Sequence, residues 1–310
     1  MNNFFLKILL CSVILLCSCN SITIPIEVKK EDENVTSKSQ LKYTTANNLR
    51  AVLSDEISDE VDFEHKWYGT YGIIYFPRNI TKLSTQLFAK NNYVTSVSIN
   101  GNITSIDNAF SGCSRLTNIT IPNSVTEIGI YAFDGCSSLT SVTIPDSVTT
   151  IGNWAFQDCS SLTNITIPNS VTEIGEYAFS SCSSMTSVTI PNSVTEIGEY
   201  AFYKCSSLTS IIIPDSVTSI EGWAFSKCVN LTHIVIGNSV RSIGYSAFDY
   251  CDYLTRVYCK STTPPIIYNN IFYKSRSKVY IYVPTASVNR YKSTWGLYCE
   301  DCHIEGYNFN

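Results

Sequence analysis

The chain has 310 residues, of which 44% are apolar and only 15% charged, and a formal net charge of −5. That length and apolar content suffice for a large core, and the negative balance argues against nucleic acid as a partner. Charge this sparse, against roughly 25% in an average soluble domain, leaves Ser, Thr and Asn to cover the surface.

Residues 1–18 read as a targeting segment, because Lys7 follows a short polar start and the apolar run from Ile8 to Leu16 is too short to span a bilayer. The run ends Leu16, Cys17, Ser18, Cys19, which resembles the lipobox of bacterial lipoproteins. The resemblance implies lipidation of Cys19, whose acyl chains would hold the protein to a membrane. An ordinary cleaved signal peptide is the alternative. Residues 19–54 carry Lys29, Lys30, Glu31, Asp32 and Glu33 among many Ser and Thr, and read as a flexible tether. Residues 55–76 begin with an acidic run, Asp55 to Glu64, that lacks the glycine and ligand order of a calcium loop. Trp67 to Phe76 then alternates around Gly69 and Gly72 like a hairpin, and the span is expected to cap the first coil.

Residues 77–258 repeat. Cysteine returns every 23 residues from Cys113 to Cys251, each time three residues after a phenylalanine, from Phe110 to Phe248. An earlier, degenerate coil places Ile80, Leu83, Phe88, Val94, Val97 and Ile99 at the repeat positions, with Asn91 where cysteine would stand, giving about eight coils. Within one repeat Leu139, Val142 and Ile144 alternate with Ser and Thr as in a strand with one wet face. Pro145 and its equivalents end the strand, and Asp or Asn followed by Ser turns the chain. Beyond the turn Val148, Ile151, Ala155, Phe156 and Cys159 are spaced too irregularly for a long helix, so a short helical or 3-10 return is expected. A period in the twenties with an L-x-x-L-x-L core predicts an α/β repeat fold, a right-handed leucine-rich-repeat solenoid with one row of parallel strands.

The unit S-V-T-x-I-G-x-x-A-F-x-x-C-x-x-L-T-x-V-x-I-P resembles the BspA-type leucine-rich repeats of bacterial surface proteins over about two thirds of the chain. Ser147 and its equivalents stand where the general leucine-rich pattern has Asn or Cys, which leaves an asparagine ladder in doubt. Residues 259–310, with Thr263-Pro264-Pro265, Ile281-Tyr282-Val283-Pro284, Tyr291 and Trp295, resemble the closing segment of the same family and are expected to cover the last coil. Charge is uneven along the chain: residues 103–258 hold 13 acids and 5 bases, residues 259–310 hold 3 acids and 6 bases.

The ladder cysteines and Cys259 are read as buried, reduced thiols, since seven parallel side chains point the same way. Cys299, Glu300, Asp301, Cys302, His303 spells the attachment motif of c-type haem, against which stand its position at the chain end and the lack of a domain to wrap the group. A disulfide or free thiols is the alternative preferred. The only histidines are His65, His233 and His303, and with no H-E-x-x-H, G-x-S-x-G or phosphate loop, neither a catalytic site, a metal nor a cofactor is assigned. Glu173 and Glu196 recur by repetition and read as an exposed row.

Two outward features suggest binding. Along the strands the face is a carpet of small hydroxyls that changes character at Ile212, His233, Val235, Arg256 and Tyr258, where an Arg–Tyr patch suits an interface. The competing reading is that those coils vary because they meet the cap. Tyr131, Trp154, Tyr177, Tyr200 and Trp223 form a second stripe, explained equally by burial between coils and by carbohydrate stacking. The resemblance implies adhesion by an exported, membrane-anchored surface protein whose partner is an extracellular protein or glycan. A non-binding spacer or coat component is the alternative, with an exported enzyme or haem protein more remote.

Overall fold

The computed structural model describes residues 39–47, 64–76, 80–83, 86–269, 271–275, 278–299 and 302–309. The targeting segment, Cys19 and much of the expected tether lie outside those residues. The chain winds as a β-solenoid of about ten turns with little helix. Each full coil contributes two strands. A three- or four-residue strand such as Asn164–Thr166 lies in the front row, and a two-residue strand such as Glu173–Ile174 lies in a nine-stranded parallel row behind it. Through the regular coils of both rows each residue pairs with the one 23 positions on, as Ile165 does with Val188 and Ile174 with Ile197, and the offset becomes 22 or 24 toward the ends.

The period is set by what the coil buries. Phe88, Phe110, Phe133, Phe156, Phe179, Phe202, Phe225, Phe248 and Phe272 form one column of stacked rings with centroids 5.2 to 6.0 Å apart. Tyr43 closes the column at one end, edge-on to Phe88 at 5.3 Å, and Trp295 at the other, 6.3 Å from Phe272. The ladder cysteines are fully buried free thiols, each donating its S–H to a phenylalanine carbonyl of the preceding coil, as Cys182 does to Phe156 at 3.2 Å. Serine forms the ladder at the position where the general pattern has asparagine: Ser147, Ser170, Ser193 and Ser216 each donate to the valine carbonyl of the coil before. Two residues beyond the serine position, Thr126 and Thr149 donate to the threonine carbonyls of the coil before, at Thr104 and Thr126. Hydroxyls thus supply hydrogen bonds to the turn carbonyls of the neighbouring coil, which is why a charge-poor, Ser/Thr-rich sequence suits the fold.

The return path is made of single 3-10-type turns that do not run on into a helix. Ala178, Ser180 and Cys182 donate to the carbonyls three residues back, at Gly175, Tyr177 and Phe179, while Tyr177, Phe179 and Ser181 donate to the next coil at Glu199, Ala201 and Tyr203. This alternation needs left-handed backbone at two points per coil, with φ of 54° at Tyr177 and 61° at Ser181. Glycine holds the second point at Gly112 and Gly135, but Lys90, Asp158, Ser181, Lys204, Lys227, Tyr250 and Lys274 hold it elsewhere, at a cost of about 1–2 kcal/mol for each residue with a Cβ. The Ile-Gly step serves a different need: a Cβ at Gly198 would lie 2.8 Å from the Gly175 carbonyl carbon, so the coils touch backbone to backbone.

Both ends extend further than the sequence predicts. Gln40–Thr45, placed in the flexible tether, is a strand that pairs antiparallel with Val94–Asn100 on one side and Tyr71–Tyr75 on the other. Its alternating Leu41, Tyr43 and Thr45 are buried. The hairpin expected over Trp67 to Phe76 begins three residues earlier, pairing Glu64–Trp67 with Tyr71–Tyr75, and is joined to the first coil through this strand. At the other end the segment after residue 258 does more than cover the last coil. Ile266–Ile267 joins the rear row, and Tyr280–Pro284 and His303–Tyr307 add two parallel strands to the front row. Val288–Thr294 is the one α-helix among the described residues. It buries Tyr291, whose hydroxyl donates to the Ser261 carbonyl at 2.9 Å, and the nearby Trp295 donates to Pro265 at 2.8 Å.

Candidate functional site: the aromatic end of the strand row

Parallel pairing in register turns every other residue of the front strands into a file running across the coils. Over much of the array these files are Asn118, Ser141, Asn164 and Ser187 beside Thr120, Thr143, Thr166 and Thr189, all exposed. The five predicted residues lie together where the files change. His233 is opposite Arg256, Ile212 opposite Val235, and Val235 opposite Tyr258. Ile212 is 63% exposed, an unusual position for a large aliphatic side chain. His233 and Arg256 are also exposed, and Val235 and Tyr258 are half-buried.

The two added strands continue both files. Arg256 faces Tyr280 and then His303, and Tyr258 faces Tyr282 and then Glu305. Tyr258 and Tyr282 stack at 4.8 Å, and Tyr307 stands edge-on to both at 5.3 and 5.7 Å. Phe309 packs against Tyr307 at 5.0 Å, and Tyr280 against His303 at 5.5 Å. His303 Nε2 lies 3.6 Å from Glu305. The patch meets the closing segment directly, through the pairing of Arg256–Cys259 with Tyr280–Pro284, and its outward side chains stay exposed or half-buried. It is an open platform of tyrosines flanked by Arg256 and two histidines, suited to flat contact with a macromolecule through ring faces and charge-assisted hydrogen bonds. Sequence reading missed Tyr280, Tyr282, His303, Glu305 and Tyr307, although their alternation with buried Ile281, Val283 and Ile304 carries the strand signal.

The other features divide. Tyr131, Trp154, Tyr177, Tyr200 and Trp223 stack on one another at 4.4 to 5.7 Å, within 16° of parallel. Their inner faces are thus used within the stack, and the geometry agrees with burial between coils rather than with sugar stacking. Glu173 and Glu196 face one another as an exposed row, and burial together with Glu221 and Glu173 pushes the Glu196 carboxyl above its usual range. Cys299 and Cys302 are joined in a disulfide, which commits both sulfurs that haem attachment would use. Among the described residues no three His, Cys, Asp or Glu side chains are grouped to hold a metal.

Comparison with known proteins agrees with the fold. A leucine-rich repeat protein from Bacteroides ovatus is 23% identical, with a TM-score of 0.57 over 82% of this chain and 77% of that one. The T. pallidum leucine-rich repeat protein TpLRR is 29% identical with a TM-score of 0.46, over 52% of this chain and 73% of its own. A leucine-rich cell surface protein from Faecalibacterium prausnitzii is 23% identical with a TM-score of 0.32, over 86% and 95%. No curated protein matches. The family described as "BspA type Leucine rich repeat region" matches in 6 copies over residues 70–113, 107–228 and 172–295. With its coils, its cysteine and phenylalanine columns and most of its length accounted for by that repeat, the chain belongs to the BspA-type leucine-rich-repeat family.

Proposed function

We propose that this chain is an exported, surface-held binding protein that attaches to an extracellular protein or glycan through the aromatic end of its strand row. The observation that carries this reading is the platform itself. Tyr258, Tyr282 and Tyr307 are clustered beside Arg256 on an otherwise small and polar face. Tyrosine and arginine are the residues that concentrate binding energy in interfaces, whereas a uniform hydroxyl carpet offers little. Family membership supports a place outside the cell, and lipidation at Cys19 would hold the chain to a membrane. Cell-surface labelling before and after Cys19→Ala tests that anchor, with loss from the membrane fraction expected.

The binding reading is tested by screening the purified chain against matrix proteins and glycans, alongside a variant carrying R256A and Y258A. Capture of at least one ligand, weakened tenfold or more in the double variant, is expected, since truncating interface tyrosines and arginines costs roughly 2 kcal/mol or more. Capture of nothing would favour the spacer or coat reading. Capture unchanged by the double substitution would move the site elsewhere on the solenoid.

A further inference from the structure

A second charged surface lies on the edge of the coils, at the left-handed position just before each ladder cysteine. The first coil places Lys90 there and the next four Gly112, Gly135, Asp158 and Ser181, whereas the coils after them place Lys204, Lys227, Tyr250 and Lys274 in succession. Tyr203 and Tyr273 precede two of these residues. The result is an alternating line: Lys204 lies 5.2 Å from the Tyr203 ring, Lys227 lies 5.2 Å from Tyr203 and 5.7 Å from Tyr250, and Lys274 lies 5.1 Å from Tyr250 and 5.4 Å from Tyr273.

Three features set this line apart. It reverses the local charge, since residues 103–258 hold 13 acids against 5 bases. None of the three lysines pairs with a carboxylate among the described residues, so their charges are held on tyrosine rings and remain available. Beside it runs an open cleft of about 430 Å³, whose lining includes Ser160, Ser183, Ser206 and both Lys204 and Lys227, with Asp158 among its walls.

We propose that the edge formed by Tyr203, Lys204, Lys227, Tyr250, Tyr273 and Lys274 binds an extended acidic polysaccharide, with its anionic groups on the lysines and its sugar rings against the tyrosines. A polymer of repeating anions suits the line because Lys204 and Lys227 stand one coil apart and Lys274 two coils further on, along one edge of a regular array. Tyr250 and Tyr273 meet edge-to-face at 89° and are exposed, unlike the parallel stack from Tyr131 to Trp223, so ring surface is left for a sugar to cover. The shared chemistry is a repeated anion, carboxylate or sulfate. An acidic polypeptide would satisfy the lysines but make no comparable use of the tyrosines. This site is separate from the strand-row platform and does not depend on it.

The test measures binding of the full chain to a sulfated glycosaminoglycan, an unsulfated uronate polymer and poly-L-glutamate, at low and at physiological salt. Binding to one or both polysaccharides, weakening as salt rises, is expected, and the two arms identify sulfate or carboxylate as the preferred group. The K204G/K227G variant should lose tenfold or more in affinity while its unfolding midpoint rises, because glycine relieves the left-handed backbone, so the loss cannot be ascribed to unfolding. Y250A/Y273A should weaken polysaccharide binding, and R256A/Y258A should leave it unchanged. No polysaccharide binding, undiminished binding by K204G/K227G, or poly-L-glutamate bound as tightly as the polysaccharides would overturn the proposal.

Discussion

Raising the pH above about 9 is expected to unfold this protein cooperatively, over a narrow range set by its buried thiols. Eight cysteines among the described residues are free and buried, from Cys113 to Cys259. Burial pushes Cys113 and Cys205 up to about 12 and Cys259 to about 11, and it raises the others as well. Unfolded, each titrates near 8.5. Below that value both states hold the proton and the thiols leave stability unchanged by pH. Above it the unfolded chain loses protons that the folded chain keeps, so stability falls as pH rises, until the folded thiols themselves ionise. Each thiol contributes about 1.4 kcal/mol per pH unit in that window, and eight together about 11 kcal/mol per unit. Against a total stability of roughly 5–15 kcal/mol, unfolding should follow within one to two pH units of the unfolded thiol value. Circular dichroism and thiolate absorbance should change together. A thiolate signal that grows gradually while the native spectrum persists would show that the cysteines are not where the coils put them.

Replacing a ring in the middle of the phenylalanine column should be nearly as damaging. Phe179 has no exposed surface and lies between Phe156 and Phe202, at 5.4 and 5.3 Å. Phe179→Ala leaves a cavity shared by three coils and should cost about 3–5 kcal/mol. Because each repeat is supported only by its neighbours, the loss should also split the denaturation curve into two steps, one for each side of the break. Tyr177→Ala, two residues away on the half-buried outer stack, should cost about 0.5–1.5 kcal/mol beyond its lost area. Comparable small effects from both substitutions in urea titrations would mean that stacking of coils is not the main source of stability.

The repeat was legible because its buried side chains recur at a fixed interval. Phe156 and Cys159 each have one environment, repeated, and the sequence can show that directly. What depends on partners one coil away was harder to read. Ser147 looks like a departure from an asparagine position until its hydroxyl is seen on the Val125 carbonyl. The rear row is only two residues deep in each coil, too short for alternation to reveal. Left-handed backbone has a sequence signal only where glycine happens to occupy it, at Gly112 and Gly135, and none at Lys204 or Tyr250.

The ends were misread for a related reason. Gln40–Thr45 alternates buried and outward residues for a single short strand, and the charged, Ser- and Thr-rich stretch before it concealed that pattern. After Cys251 the Phe-x-x-Cys beat is lost while strand pairing continues. The five residues from Ile212 to Tyr258 were therefore found as a change in a repeating pattern, whereas Tyr282 and Tyr307, which complete the platform, lay beyond the last repeat the sequence makes visible.

The most direct measurement is hydrogen exchange on the purified chain with and without a ligand recovered from the binding screen. Protection is expected at Arg256–Cys259, Tyr280–Pro284 and His303–Tyr307, with the Asn118–Thr120 to Ser187–Thr189 strands unchanged. Protection centred on those hydroxyl-bearing strands, or on the rear row and its turns, would contradict a binding surface formed where the coils end in tyrosine.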